Sequence, residues 1–232
     1  GDVTSLNVSF MKTLKKRCIK KAGAVTAVSD ALLSTMNDIC PKEQGAVISM
    51  GCDMERFGVQ FHVENYFGQG KEQVVLFVGR LAEKKGVTYL IEAMKEVDAK
   101  LVIVGDGNLY EPLFTQASDA FSGQVLAPEE KPENDGWKIR FLGAKTHEEL
   151  KTIYASADVF AMPSVTAKDG DKEGFGVVML EAMASGLVVA ASDSGGITDV
   201  IRDGENGLLM EEKNSHDIAE KLNRLLTRKE LY

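Results

Sequence analysis

The sequence predicts an α/β fold in which helices cover both faces of a doubly wound parallel sheet. Continuous apolar runs such as residues 74–78 and 100–104 are typical of strands that are buried on both faces. These runs alternate with helix-like segments from residue 74 to residue 226, which predicts about five or six parallel strands. At 232 residues, the chain is long enough for one such domain and part of another.

The first block of the chain begins with an amphipathic segment that predicts a helix over residues 6–22. Phe10, Leu14 and Cys18 recur every four positions, and basic residues fill much of the remaining helix surface. This charge allows peripheral contact with an acidic membrane surface. We prefer a solvated basic face and an apolar stripe that packs against protein, because this arrangement requires no other partner.

The other elements follow from periodicity and turn residues. In the first block we expect strands over 24–28 and 45–49, and a helix over 30–38 that Ser29 caps. Residues 58–72 are polar and rich in glycine, which is typical of a linker. Downstream strands are expected over 74–79, 100–105, 138–143, 157–162, 187–191 and 207–210. Helices are expected over 87–97, 108–120, 146–156, 197–202 and 215–226, with a surface loop over 121–136.

Composition restricts the class of protein. A formal net charge of −8 argues against nucleic-acid binding as the main function. The three cysteines show neither the spacing of a zinc site nor that of a disulfide framework, which favours a reducing cytoplasm. No apolar run approaches the ~20 residues that a transmembrane helix needs, and no signal-peptide core is present.

The most informative stretch runs from Asp171 to Gly186 and contains two carboxylates. Gly174 and Gly176 allow a ligand to approach the backbone closely, and a helix that starts near Gly176 directs free N–H groups at an anion. Glu181 lies in a helix that is apolar on almost every side, so its carboxylate must face an opening or have a dedicated donor. The residues alone leave a structural role for Glu181 as open as a ligand-binding role.

Two basic residues, Arg80 and Lys85, flank the turn after the first strand of the alternating region. Ligands of open parallel sheets bind at the carboxyl ends of the strands, where the strand order reverses. Both side chains can therefore reach one diphosphate, Arg80 as a bidentate fork and Lys85 as a point charge. By spacing alone, an ordinary polar loop is the simpler explanation.

A family resemblance favours the ligand-binding roles of these residues over the structural ones. Glu-Gly-Phe-Gly at 173–176, an apolar run with a second Glu at 181, and Ala-Met-Ala-Ser-Gly resemble the signature of retaining glycosyltransferases with the GT-B fold. The resemblance implies a nucleotide diphosphate sugar as donor, either a UDP-, a GDP- or an ADP-sugar. It places Glu173 on hydroxyls of the donor sugar and Glu181 on the ribose hydroxyls. No metal and no further cofactor is expected.

The run Gly-Arg-Leu-Ala-Glu-Lys-Lys-Gly at 79–86 also resembles a family motif, the phosphate-binding loop. This resemblance assigns Arg80 and Lys85 to the diphosphate. Together with the amides of Gly176 and Val177, these cations would favour the negative charge that grows on the leaving group. The candidate donor site also includes Gly174 and Phe175. The loop after Leu142 leaves the carboxyl end of another strand, so we assign the main chain around Ala144 and Lys145 to the nucleotide base.

The resemblance covers essentially the whole chain but only the second half of such an enzyme. It implies that residues 1–57 are the tail of an N-terminal Rossmann-like domain, 58–72 a linker, and 73–232 the nucleotide-sugar-binding Rossmann-like domain. A glycan or lipid-linked acceptor would bind through the first domain, so this chain alone is expected to be inactive. The alternatives are a sugar-nucleotide epimerase or phosphorylase of the same architecture, and a module that binds the donor without turnover. The expected location is the cytoplasm, with peripheral contact at the inner membrane face as an option.

Two further motifs each allow a second interpretation. Asp169-Gly-Asp171 is a candidate for a divalent metal, but we prefer a solvated acidic loop because Asp-x-Asp metal sites belong to a different glycosyltransferase topology. Gly105-Asp-Gly107 follows a strand, yet Tyr110 occupies the position of the third glycine in a dinucleotide-binding loop.

Overall fold

The computed structural model describes residues 9–41, 45–58, 66–67, 72–130 and 136–227. The helices described in the first block are α1 (Ser9–Lys21), α2 (Asp30–Ile39) and α3 (Met54–Phe57), and its strands are β1 (Val25–Ala27) and β2 (Gly45–Val47). The two strands pair in parallel, and the Ser29 hydroxyl caps α2 by accepting a hydrogen bond from the Leu32 amide at 3.2 Å. The helices and strands predicted for this block are confirmed, whereas most of the predicted linker 58–72 lies outside the described residues.

In the described residues, the apolar stripe of α1 is exposed, whereas we expected it to pack against protein. Leu14 is 44% exposed and Cys18 is also exposed, while the side chain of Phe10 lies outside the described residues. In the described part of the chain, no helix is long and apolar enough to cross a membrane. Peripheral membrane contact through the basic face of α1 stays a prediction.

The second block, from residue 72 onwards, contains one large parallel sheet. Its strands are β3 (Val74–Val78), β4 (Lys100–Val104), β5 (Val125–Leu126), β6 (Ile139–Gly143), β7 (Val159–Met162), β8 (Val188–Ser192) and β9 (Leu208–Met210). Its helices are α4 (Val87–Ala93), α5 (Tyr110–Ala120), α6 (His147–Tyr154), α7 (Val177–Ala184) and α8 (Ser215–Thr227). The spatial order of the strands is β5-β6-β4-β3-β7-β8-β9, and all neighbours are parallel.

Helices cover both faces of this sheet, so the predicted fold class is confirmed. Val75 and Phe77 of β3 belong to a hydrophobic core with α4, α5 and α8. Leu76 and Val78 point to the other face and belong to a core with α3, α6 and α7. Every residue of β3 and β4 is buried, which explains why these strands are continuous apolar runs.

The predicted surface loop 121–136 is wrong in one respect, because it contains β5. This strand lies at the edge of the sheet and pairs with β6, with Val125 opposite Ile139 and Leu126 opposite Arg140. In the described residues the large sheet therefore has seven strands rather than about six. A strand of two residues is too short to show a period, so the pattern could not reveal it.

The predicted helix over 197–202 is also wrong. The chain forms a single 3-10 turn at Gly195–Ile197, followed by further turns. The Arg202 amide donates to the Asn206 side-chain oxygen at 2.7 Å, and this bond takes the amide out of any helical ladder. The predicted helix 87–97 is shorter than expected, since α4 ends at Ala93.

Candidate functional site

The strand order reverses between β3 and β7, and the expected ligand crevice lies at this switch point. The loop 79–86 leaves β3 and carries Arg80 and Lys85, whereas the loop 163–176 leaves β7 and carries Glu173. Because the carboxyl ends of parallel neighbours lie at one edge of a sheet, the topology brings the two predicted motifs together.

The two loops pack against each other through their backbones. The 3-10 turn Glu83–Lys85 ends at Gly86, whose φ of 63° is left-handed. A Cβ atom at Gly86 would lie 1.8 Å from the carbonyl oxygen of Pro163. The Val165 amide also donates to the Lys84 carbonyl at 2.8 Å. Only glycine fits this contact, so the position of the turn over the sheet is set by the backbone.

Two consecutive lysines of this turn are paired with acids of the second loop. Lys84 Nζ lies 2.9 Å from Asp171 Oδ2, and Lys85 Nζ contacts Glu173 Oε2. The four side chains are between 11% and 18% exposed, so salt screens these pairs less than surface pairs. Two of the predicted catalytic residues, Lys85 and Glu173, are therefore in direct contact although 88 positions separate them.

The acidic loop around Asp169 and Asp171 is solvated at residues 168–170 and 172, as expected, but Asp171 itself is partly buried. The Asp171 side chain is 15% exposed and faces Lys84, and its amide donates to Asp169 Oδ1 at 2.9 Å. Among the described residues, no group of three or more His, Cys, Asp or Glu side chains is placed to hold a metal ion. The loop closes onto the turn that carries the two lysines.

The glycine-rich loop before α7 is held by a second backbone contact, which the sequence did not predict. The Gly196 amide donates to the Glu173 carbonyl at 3.1 Å, and a Cβ at Gly196 would lie 2.1 Å from the Gly174 carbonyl oxygen. The helix α7 then begins at Val177, directly after Gly176, as expected. The adjacent glycines at 195 and 196 were the available signal for this close approach.

Two cavities of about 530 Å³ each meet at the Lys85–Glu173 pair, and Val178 lines both of them. The first cavity is polar and its wall includes Arg80, Lys84, Asp169 and Asp171. The second is lined by the loop Gly174, Phe175, Gly176 and Val177 and by apolar residues of the first block, among them Val28, Leu32, Met36 and Met50. Arg80 and the glycine-rich loop thus border different cavities that share the ion pair.

Glu181 lines neither of these two cavities, but it has the dedicated donor that its apolar helix requires. The residue is 8% exposed, and the Tyr154 hydroxyl donates to its Oε2 at 3.0 Å. Burial, and then the negative charge of Glu181, raise the pKa of Tyr154, so the phenol stays protonated. Burial and the same carboxylate also raise the pKa of Cys52, whose thiol donates to the carbonyl of Leu180, the residue before Glu181, at 3.5 Å.

Ala144 and Lys145 are not brought to the ion pair. They follow β6, which β4 separates from β3, and neither residue lines the two cavities. Lys145 Nζ instead lies 3.4 Å from Glu149 Oε1 on α6. Their role at the nucleotide base stays a prediction.

The Gly105-Asp-Gly107 motif supports the loop that carries Arg80. A Cβ at Gly105 would lie 1.9 Å from the Gly79 carbonyl oxygen, and one at Gly107 would lie 2.3 Å from the Leu81 carbonyl oxygen. The Leu81 amide also donates to the Asp106 carbonyl at 2.9 Å. These contacts explain both glycines without a dinucleotide.

The chain matches a family model described as glycosyl transferases group 1 over residues 60–232. An uncharacterized glycosyltransferase of Methanocaldococcus jannaschii is 37% identical over 163 residues, which cover 68% of this chain and 37% of that protein. The matched region therefore spans well under half the length of this relative.

Solved structures show the same fold. Anabaena HepE, in complex with UDP and glucose, has a TM-score of 0.79 and 22% identity, covering 99% of this chain and 61% of that one. The C-terminal domain of a glycosyl transferase group 1 family protein (LpcC) from Francisella tularensis has a TM-score of 0.60 and 28% identity, covering 78% of this chain and 90% of that one. The chain belongs to the group 1 glycosyltransferases, and its large parallel sheet is a Rossmann-like domain of the GT-B fold.

Proposed function

We propose that this chain carries the donor site of an enzyme that transfers a glycosyl group from a nucleotide diphosphate sugar to an acceptor hydroxyl, with retention of configuration. Family membership supports sugar transfer. One observation carries the donor-site assignment, namely the contact of Lys85 with Glu173 beside the first turn of α7. The bond that breaks joins the sugar to the diphosphate. A carboxylate that binds the sugar and a cation that binds the diphosphate must therefore be adjacent, as Glu173 and Lys85 are.

The chemistry follows from these charges. The bond between the anomeric carbon and the diphosphate oxygen breaks, the acceptor oxygen bonds to the same carbon, and the proton of the acceptor hydroxyl passes to the leaving diphosphate. Negative charge grows on the leaving diphosphate, where Lys85, Arg80 and the first amides of α7 around Val177 stabilise it. Hydroxyls of the sugar donate to Glu173 and replace its contact with Lys85.

The other site residues hold the rest of the donor. Glu181 accepts hydrogen bonds from the ribose hydroxyls, and the loop Gly174, Phe175 and Gly176 lets the phosphates approach the backbone. The main chain at Ala144 and Lys145 contacts the base of a UDP-, GDP- or ADP-sugar. In this proposal the protein's own cations and helix amides neutralise the diphosphate without a metal ion.

We assign the acceptor, a glycan or a lipid-linked sugar, to the side of the second cavity that lies opposite the glycine-rich loop. We assign residues 73–232 to the donor domain, 58–72 to a linker and 1–57 to the tail of the acceptor domain. The separate two-stranded sheet of the first block, and the apolar residues that it contributes to the second cavity, support this division. The chain alone is then expected to bind donor without transferring the sugar.

Calorimetric titration with UDP, GDP and ADP tests the donor site. The variant Lys85→Ala is expected to weaken binding of the preferred nucleoside diphosphate by about 10- to 100-fold, because a charged contact is lost and the negative charge of Glu173 beside the phosphates is no longer balanced. Lys151→Ala is the matched control, since it removes a lysine that pairs with Glu148 at 2.9 Å on α6, and its affinity should equal that of the wild type. Unchanged affinity of Lys85→Ala would refute the diphosphate assignment.

The reaction itself is tested in an enzyme that also contains the acceptor domain. Release of a nucleoside diphosphate together with a glycosylated acceptor identifies a transferase. A changed sugar that remains attached to its nucleotide identifies an epimerase, and a sugar phosphate identifies a phosphorylase.

A further inference from the structure

The carboxylate of Glu181 has one oxygen committed to the protein and one that is not. Oε2 accepts the Tyr154 hydroxyl at 3.0 Å. Among the residues that the structure describes, Oε1 of Glu181 has no hydrogen-bond partner. Oε1 is also not among the fully buried polar atoms that lack a partner, so it is open to solvent and a ligand hydroxyl can reach it.

The Tyr154 hydroxyl is held in place by the packing of its ring. Tyr154 is fully buried, with 0% exposure, at the last turn of α6. Its ring packs edge-on against Phe57 at 5.9 Å between centroids and tilted against Phe160 at 6.1 Å. The hydroxyl also lies 3.3 Å from the Val178 carbonyl of α7. Both side-chain torsions of the tyrosine are therefore fixed by its neighbours.

We infer that Tyr154 is a positioning residue for ribose recognition, which acts by orienting Glu181 so that Oε1 is presented to the ribose hydroxyls. This inference rests on the ribose role of Glu181 in the proposed function. A free glutamate in an apolar helix has several rotamers, and the hydrogen bond to Oε2 selects one before the ligand arrives. The expected consequence is selectivity for ribonucleotides over nucleotides that lack the ribose hydroxyls.

The test removes the hydroxyl of Tyr154 and leaves its ring. UDP, GDP and ADP are compared by calorimetry, and the tightest of the three is titrated together with its 2′,3′-dideoxy analogue. In Tyr154→Phe, the ribonucleotide should bind about tenfold more weakly and the dideoxy analogue with unchanged affinity. The ratio of the two affinities is measured on one preparation, so any loss of folded protein cancels.

Tyr110→Phe is the matched control. Tyr110 stacks on Phe114 of α5, and its hydroxyl has no hydrogen-bond partner among the described residues. Tyr110→Phe should keep the wild-type ratio of ribonucleotide affinity to dideoxynucleotide affinity. The control thereby shows that removal of a tyrosine hydroxyl does not in itself alter discrimination at the ribose.

A double-mutant cycle separates the failure of this inference from the failure of the proposed function. If Glu181→Ala keeps the wild-type ratio, the ribose role of Glu181 is wrong and the inference is overturned with it. If Glu181→Ala loses the ratio while Tyr154→Phe keeps it, Glu181 binds the ribose and Tyr154 does not position it. The third outcome is that both single variants reduce the ratio of ribonucleotide affinity to dideoxynucleotide affinity. If the double variant then reduces it no further than Glu181→Ala, Tyr154 acts through Glu181, as we propose.

Discussion

Replacing Gly86 by alanine tests whether backbone contact between the loops 79–86 and 163–176 sets the geometry of the site. A non-glycine residue at the φ of 63° observed for Gly86 costs roughly 1–2 kcal/mol. The added Cβ would also lie 1.8 Å from the Pro163 carbonyl oxygen, so one loop must move. Overpacking of this kind costs about 1–3 kcal/mol, which brings the expected loss of unfolding free energy to about 3 kcal/mol.

Gly123→Ala separates the two contributions. Gly123 has a φ of 72°, and a Cβ there would have no heavy atom within 4 Å, so only the conformational cost applies. For a chain of this size, 1 kcal/mol shifts the melting temperature by about 2–4 °C. Thermal unfolding should therefore show a decrease of about 4 °C for Gly123→Ala and of about 9 °C for Gly86→Ala.

The same pair of variants reports on binding. Lys85 directly precedes Gly86, so displacement of the turn should also weaken the affinity for the preferred nucleoside diphosphate, whereas Gly123→Ala should keep it. Equal melting temperatures for the two alanine variants would show that the contact with Pro163 does not constrain the loops. Backbone contact between the loops would then not set the geometry of the site.

Three shorter predictions concern other residues. Glu181→Ala should weaken nucleotide binding about tenfold or more, and unchanged calorimetric affinity would contradict its ribose role. Ser29→Ala removes the cap of α2 and should cost about 1 kcal/mol, seen as a melting temperature lower by about 2–4 °C; an unchanged value would show that the cap is dispensable. Hydrogen bonds from the Thr146 amide and hydroxyl lower the pKa of Glu149, so its stabilising effect is present above about pH 4 and is lost as the pH falls through the folded-state pKa. In melting curves at decreasing pH, Glu149→Gln should lose less stability over that window than the wild type, and parallel acid limbs would contradict this.

The sequence predicts the large sheet well because burial and periodicity are local properties. Runs such as β3 and β4 are apolar throughout, and the capping box of α6 is visible as Thr146 and Glu149. The rule for switch points then predicts that Lys85 and Glu173 lie at one edge of the sheet, although it does not predict their direct contact.

The parts that the sequence did not predict depend on distant pairs. The need of Glu181 for a donor was evident from its apolar helix, but the donor Tyr154 lies on a different helix. The pairing of Lys84 with Asp171 joins two loops that follow different strands, so no period in either segment indicates it. The family resemblance implies roles for individual residues, but it does not predict these supporting contacts.

The charges around the first cavity determine how a diphosphate can bind there. Its described lining residues include three cations, Arg80, Lys84 and Lys85, and four carboxylates, Glu83, Asp169, Asp171 and Glu173. While both lysines are paired with carboxylates, the electrostatic attraction between these lining residues and a polyanion is weak. In the proposed function, Lys85 exchanges its contact with Glu173 for a contact with a phosphate, which would leave a carboxylate unpaired in a largely buried position. A nucleotide sugar would bring hydroxyls that satisfy this carboxylate and a nucleoside diphosphate would not, so we expect the ion pair to favour the intact donor over the product.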